Sequence, residues 1–155
     1  RLEIRNLKAN IGANSIISLN ADGSFRKKIT VPTQPRSLLL DNQRDLLWVS
    51  CLKSNLLTAI ATKTETVEAQ LKLPVSGTFA IAHDIRSGML FLSAHEENIL
   101  IIVDGQRREI LANIDTLQLA GTLNSESAHV SNVKIDAKKF SAKTNDINSD
   151  KYFMG

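Results

Sequence analysis

Short apolar runs separated by polar turns fill most of the chain, and nowhere do they settle into the 3.6-residue spacing of an amphipathic helix. The clearest stretch predicts strands over Arg36–Leu40, Leu46–Cys51, Leu56–Ala61 and Thr66–Leu73. A second set follows over Phe79–His83, Met89–Ala94, Ile99–Val103 and Glu109–Ile114. The middle two strands of each set are almost wholly apolar, as expected of strands covered on both faces. Thr66-Val-Glu-Ala-Gln-Leu-Lys-Leu73 alternates instead, so one of its faces meets solvent. Asp41-Asn-Gln-Arg-Asp45, Asp84-Ile-Arg-Ser-Gly88 and Asp104-Gly-Gln106 supply the turns between strands, and Pro32, Pro35 and Pro74 punctuate the longer crossings.

The two sets are copies. Displaced by 43 positions, Arg36–Leu73 falls on Phe79–Thr116 without a gap. Asp41 then meets Asp84, Ser50 meets Ser93, Asn55 meets Asn98 and Ala69 meets Ala112. Apolar positions coincide between these identities, Trp48 with Phe91 and Ile60 with Val103 among them. A partial earlier copy runs over 14–32: Asn14 precedes Asn55 by 41 residues, and Ile29-Thr-Val-Pro32 precedes Leu71-Lys-Leu-Pro74 by 42. The repeat segment therefore spans 1–116, with copies at 36–73 and 79–116. Residues 117–140 are assigned to a degenerate further unit and 141–155 to a polar tail.

Four short strands repeating every 40 to 45 residues, with turns rich in Asp and Gly, are the signature of propeller blades. The segments SLLLDNQRDLLWVSCLKSNLLTAIATKT and AIAHDIRSGMLFLSAHEENILIIVDGQ resemble YVTN-type and WD-repeat-like blades, a likeness that covers Asn14–Thr116. Trp48-Val-Ser and Phe91-Leu-Ser stand where Tyr-Val-Thr would be, and Val103-Asp104 stands where the Trp-Asp dipeptide would be. The resemblance implies an all-β fold of four-stranded antiparallel blades, about two complete and others partial, and no particular activity. A propeller ordinarily closes with ~4 to 8 blades. The expected partners are therefore a protein chain or the remaining blades of the same propeller.

Composition narrows the classes. A chain of 155 residues, 43% hydrophobic and 23% charged, has the make-up of one globular domain. Its longest apolar runs fall far short of the ~18 residues of a membrane span, and no basic-then-apolar leader opens it. The first residue is Arg1, as in a processed chain or a piece of a longer one. These features lean towards a cytoplasmic setting and leave the compartment open. Charge is uneven, with a balance of +5 over 1–36, −4 over 37–129 and +2 over 130–155. With only 5% aromatic residues, stacking platforms for nucleic acid are scarce, and a nucleic-acid partner is not expected. The single cysteine, Cys51, lies in the apolar run LLWVSCL and reads as a buried thiol.

Candidate chemistry is sparse. His83-Asp84 and His95-Glu96-Glu97 pair imidazole with acid, but neighbours in a strand point to opposite faces, and no second histidine completes a zinc motif. His129 stands between Ser127 and Ser131 with no third orienting group. Asp41, Asp84, Ser50, Ser93, Asn55 and Asn98 recur once per copy, which points to hairpin-holding roles, since one active site has no use for the same residue in each blade. Possible partner contacts are the basic run Arg26, Lys27 and Lys28, and Tyr152 and Phe153 after the polar tail. No sequence feature calls for a cofactor, a metal or a catalytic residue. The expectation is an interaction or scaffold module within a larger assembly. The alternative, by fold analogy, is a piece of a lactonase-like or quinoprotein-like propeller enzyme with its site near the channel.

Overall fold

The computed structural model describes residues 6–94 and 96–118. Eleven strands among them form three antiparallel sheets. The first holds β1 (Asn6–Asn10), β2 (Ser15–Leu19) and β3 (Phe25–Thr30). The second holds β4 (Pro35–Asp41), β5 (Leu46–Cys51), β6 (Leu56–Ala61) and β7 (Thr66–Lys72). The third holds β8 (Thr78–Asp84), β9 (Met89–Ala94), β10 (Ile99–Asp104) and β11 (Glu109–Asp115). Each sheet is a meander whose strands pair in chain order, and the three are successive blades of a partial β-propeller.

The observed strands of the second and third blades agree with the expected ones to within a residue or two. The first blade reaches further back than the copy expected over 14–32, because β1 pairs with β2 from Asn6↔Leu19 to Asn10↔Ser15. Only Leu7 and Ala9 of β1 pack on the core, too few apolar positions to mark a strand in the sequence. The segments expected as a degenerate blade and a polar tail lie outside the described residues from 119 onward.

Packing explains the apolar runs. In β5 every residue is buried, and successive side chains serve different neighbours. Leu47, Val49 and Cys51 join Ile16, Ile29, Val31 and Ile60 in the seam between the first two blades. Leu46 and Trp48 join Leu57, Ala59 and Leu73 against Leu90, Leu92, Ile101 and Val103 of the third blade. The outer strand β7 has no buried position, in keeping with its alternating sequence. On the inner side β4 lies against β8 and also touches β1.

Each blade's outer strand carries a β-bulge at the same place. The register skips Arg26 in β3, Glu68 in β7 and Leu111 in β11. The inner strands β4 and β8 are bulged at Arg36 and Phe79, which are also repeat equivalents. A bulge bends its strand and turns one side chain off the regular alternation. Here four of these five side chains cross to an adjoining blade.

The seam gives a direct test. Trp48 is 1% exposed beneath the third blade, and its indole N–H has no hydrogen-bond partner among the described residues. Trp48→Ala is expected to cost about 3–5 kcal/mol in urea unfolding, and Trp48→Phe under about 1.5 kcal/mol, because the apolar volume rather than the N–H holds the seam. Phe91, its half-buried equivalent in the third blade, is expected to cost less than half as much on truncation to alanine.

Candidate functional site

Chain order dictates two rims. Because every blade is a meander, the β4–β5, β6–β7, β8–β9 and β10–β11 hairpins emerge on one rim, and the β5–β6 and β9–β10 turns and the blade crossings on the other. The repeat acids sit on the first rim. Asp41 Oδ1 accepts from the backbone N–H of Gln43 at 3.1 Å and of Arg44 at 3.2 Å, and its Oδ2 receives Arg44 Nη1 at 2.9 Å. Asp84 Oδ1 accepts from Arg86 N–H at 3.1 Å, and its Oδ2 from the Ser87 hydroxyl at 2.5 Å. Asp104 does the same for β10–β11, accepting from Gln106 and Arg107 N–H at 2.8 and 3.0 Å. That third role is signalled in the sequence by the Asp-Gly pair alone, since Ala61 stands at the matching place in the second blade.

Four hairpins end on a residue in left-handed conformation: Asp45, Glu65, Gly88 and Arg108, with φ of 54°, 54°, 74° and 59°. The carbonyl of the first such residue in a blade then ties the two hairpins together. Thr62 N–H donates to Asp45 O at 2.8 Å, and Gly105 N–H to Gly88 O at 3.0 Å. A Cβ on Gly88 would also meet the Arg44 guanidinium.

The repeat asparagines occupy the other rim, where backbone rather than side chain does the repeated work. The carbonyls of Asn14, Asn55 and Asn98 accept from Val31, Leu73 and Thr116 N–H at 3.0, 2.7 and 2.8 Å. Asn14 and Asn98 also take left-handed conformations, with φ of 48° and 54°, which asparagine tolerates better than most residues. Ser50 is fully buried with its hydroxyl unpartnered, while Ser93 is half-buried.

Arg26 and Lys27 of the basic run are engaged within the chain. Arg26 Nε lies 3.3 Å from the Glu65 carboxylate, and Lys27 Nζ donates to Thr64 O at 3.1 Å, while Lys28 is exposed. Tyr152, Phe153, His95 and His129 lie outside the described residues. His83 faces the second blade rather than Asp84, its Nε2 3.9 Å from Asp41 Oδ2 and only 7% of its side chain exposed. No group of three or more metal-ligating side chains exists among the described residues. Cys51 is buried, its thiol within 3.4 Å of Pro32 O, and burial pushes its pKa up to about 11.

Between the second and third blades the hairpin rim opens into a cleft of about 360 Å³. Its walls are Gln43, Arg44 and Leu46 on one side, Gly105, Gln106 and Arg108 on the other, with Glu68 beneath. Arg108 is paired with Glu68 and Arg44 with Asp41, so the cleft presents charges already in balance and two amides. Such a surface suits recognition by hydrogen bonds. It holds no nucleophile–base pair.

No protein-family model matches the chain, and no curated protein matches it in sequence. Solved structures do match in fold. Hydrazine synthase of Kuenenia stuttgartiensis superposes with a TM-score of 0.65 at 13% identity, over 70% of this chain and 32% of that one. Apo AztD from Citrobacter koseri gives 0.59 at 16% identity, over 74% and 32%. The dihydro-heme d1 dehydrogenase NirN, in complex with DHE, gives 0.61 at 15% identity, over 70% and 24%. These are β-propeller proteins, and the likeness defines the class of this chain as a propeller. The chain spans about a third or less of their length.

Two outcomes follow for the rim and the thiol. The Ser87 hydroxyl, foremost among its hydrogen bonds, holds the Asp84 carboxyl below its ordinary range. A depressed carboxyl contributes stability in full above the unfolded-chain value of ~3.9 and loses it as pH falls through the lower folded value. Asp84→Asn is therefore expected to flatten the pH dependence of unfolding below about pH 4. Cys51, protonated at pH 8 and buried, is expected to react with a thiol reagent only at the rate of unfolding, with urea accelerating labelling.

Proposed function

We propose that this chain is a segment of a larger β-propeller that works as a protein-interaction module, presenting its hairpin rim to a partner. The observation that carries the reading is the distribution of polar chemistry. The rim between the second and third blades gathers Gln43, Arg44, Glu68, Gln106 and Arg108 around one cleft. On the inner side, where a propeller enzyme would open converging ionisable groups to a channel, His83 and Asp41 meet with both side chains buried, and Arg36 stacks on Phe79 with its guanidinium carbon 4.4 Å from the ring centroid. Around that pair the inner strands show Leu40, Ala80 and Ala82 to solvent. This contrast favours the interaction reading over a lactonase-like or quinoprotein-like one. Within propellers, we place the blades nearest the YVTN and WD-repeat types on their Asp-capped hairpins.

Blade arithmetic supports the larger assembly. Each blade hides its apolar faces only against neighbours, and the three described blades fall below the ~4 to 8 that close a ring. The expected completion is further blades, from the same polypeptide or from an associated chain. Native mass measurement on this chain is expected to show higher oligomers or a bound partner chain. A folded, ligand-free monomer of 17.1 kDa with a sharp unfolding transition would overturn the proposal.

A further inference from the structure

The bulged residue of an outer strand and the left-handed residue of the next blade's outer hairpin meet at both described seams. In the first seam the bulge residue is Arg26, and its partner is Glu65, 3.3 Å away. In the second the bulge residue is Glu68, and its partner is Arg108. Both turn residues are fixed alike: Glu65 N–H donates to Ala61 O at 2.8 Å, and Arg108 N–H to Asp104 O at 2.7 Å. Two equivalent positions thus carry ion pairs of opposite polarity, basic bulge with acidic turn and then acidic bulge with basic turn.

Reversal has a consequence for wrong neighbours. Were the first blade to stack on the third, Arg26 would face Arg108; were the second to stack on a second-blade turn, Glu68 would face Glu65. Both are like-charge encounters. Matched pairs at the rim of an interface add modestly to its strength, whereas mismatches oppose the wrong partner. We propose that this bulge–turn pair is the recognition surface by which each blade selects its neighbour, fitting a sheet whose turn residue has the opposite charge. It acts when two copies meet during folding, because crossings as short as 31–34 and 73–77 forbid skipping within one chain.

Secondary contacts reinforce the first seam. Ser18 Oγ donates to Glu65 Oε1 at 2.7 Å, and Lys27 reaches the adjoining carbonyl of Thr64. Glu65 is buried there, so the second seam, whose Glu68 and Arg108 side chains are 41% and 37% exposed, is the place to intervene. The third bulge residue is Leu111, so charge selection belongs to the two described seams. The inference stands independently of the interaction role proposed for the rim.

A charge-swap cycle in the full chain tests it. Glu68→Arg and Arg108→Glu alone each set like charges together, and each is expected to raise the unfolded-to-folded ratio about two- to fivefold at low salt, an effect that fades in 1 M NaCl. Combining them restores an ion pair and is expected to return the ratio to near the parent value. The combination also makes both bulge residues basic and both turn residues acidic, so neighbours are no longer distinguished. Refolded from urea, the double variant is expected to form more swapped oligomer, by native mass, than the parent or the conservative pair Glu68→Asp with Arg108→Lys. Additive losses without recovery would overturn the pairing. A double variant that recovers stability yet refolds with no more oligomer than the parent would overturn the selection.

Discussion

Everything in this structure depends on the burial of both faces of a blade. An antiparallel sheet with one apolar face can stand with its other face in water, but β5 and β6 are apolar on both. The only way to cover both faces with short strands and short connections is to stack like sheets on either side. Trp48 and Leu46 look one way, Leu47 and Val49 the other, and the side-chain alternation of a single strand thereby divides one apolar run between two seams. The repeat follows from this: each blade must offer its neighbour the surface that the next will offer in turn.

That constraint accounts for what could be read in the sequence. Strands of the second and third blades stood out because both faces are apolar and because Trp48, Val49 and Ile60 recur as Phe91, Leu92 and Val103. The aspartates were legible as turn residues because a carboxylate reaching two backbone N–H groups ahead is a local device that needs no knowledge of the fold. β1 was hidden because an edge strand presenting Leu7 and Ala9 alone has no pattern to distinguish it. Asp45, Glu65 and Arg108 were hidden for another reason: their left-handed conformations are imposed by the hairpin rather than announced by glycine. Arg26 is legible in the sequence only as part of a basic cluster, since its partner lies 39 residues on and the pairing exists only across a seam.

Hairpin chemistry and seam chemistry are also linked. In the outer hairpins of the second and third blades, the four-residue turn closes on a left-handed residue, Glu65 or Arg108, whose side chain meets the preceding blade. The bulge in the outer strand of that preceding blade turns its own residue to meet it. A strand without the bulge would keep Arg26 and Glu68 in the regular alternation, and a turn of another type would place the second charge elsewhere. The cleft between the second and third blades lies beside these devices, its walls being turn residues with Leu46 at the start of β5 and Glu68 of β7.

The inner side is governed differently. There β4 lies against β8, the bulges release Arg36 and Phe79 to meet across the seam, and His83 reaches towards Asp41 beside them. A cation over an aromatic ring is satisfied within the protein and contributes ~0.5–1 kcal/mol at an exposed site. It needs no ligand for compensation. At the hairpin rim, by contrast, Gln43 and Gln106 are exposed amides that remain able to donate and accept after Arg44, Glu68 and Arg108 have found their partners. On the interaction role proposed above, recognition would reside where turns, not strand edges, set the spacing of polar groups. A protein that varies its turns while keeping its seams can change what it binds without disturbing how its blades stack.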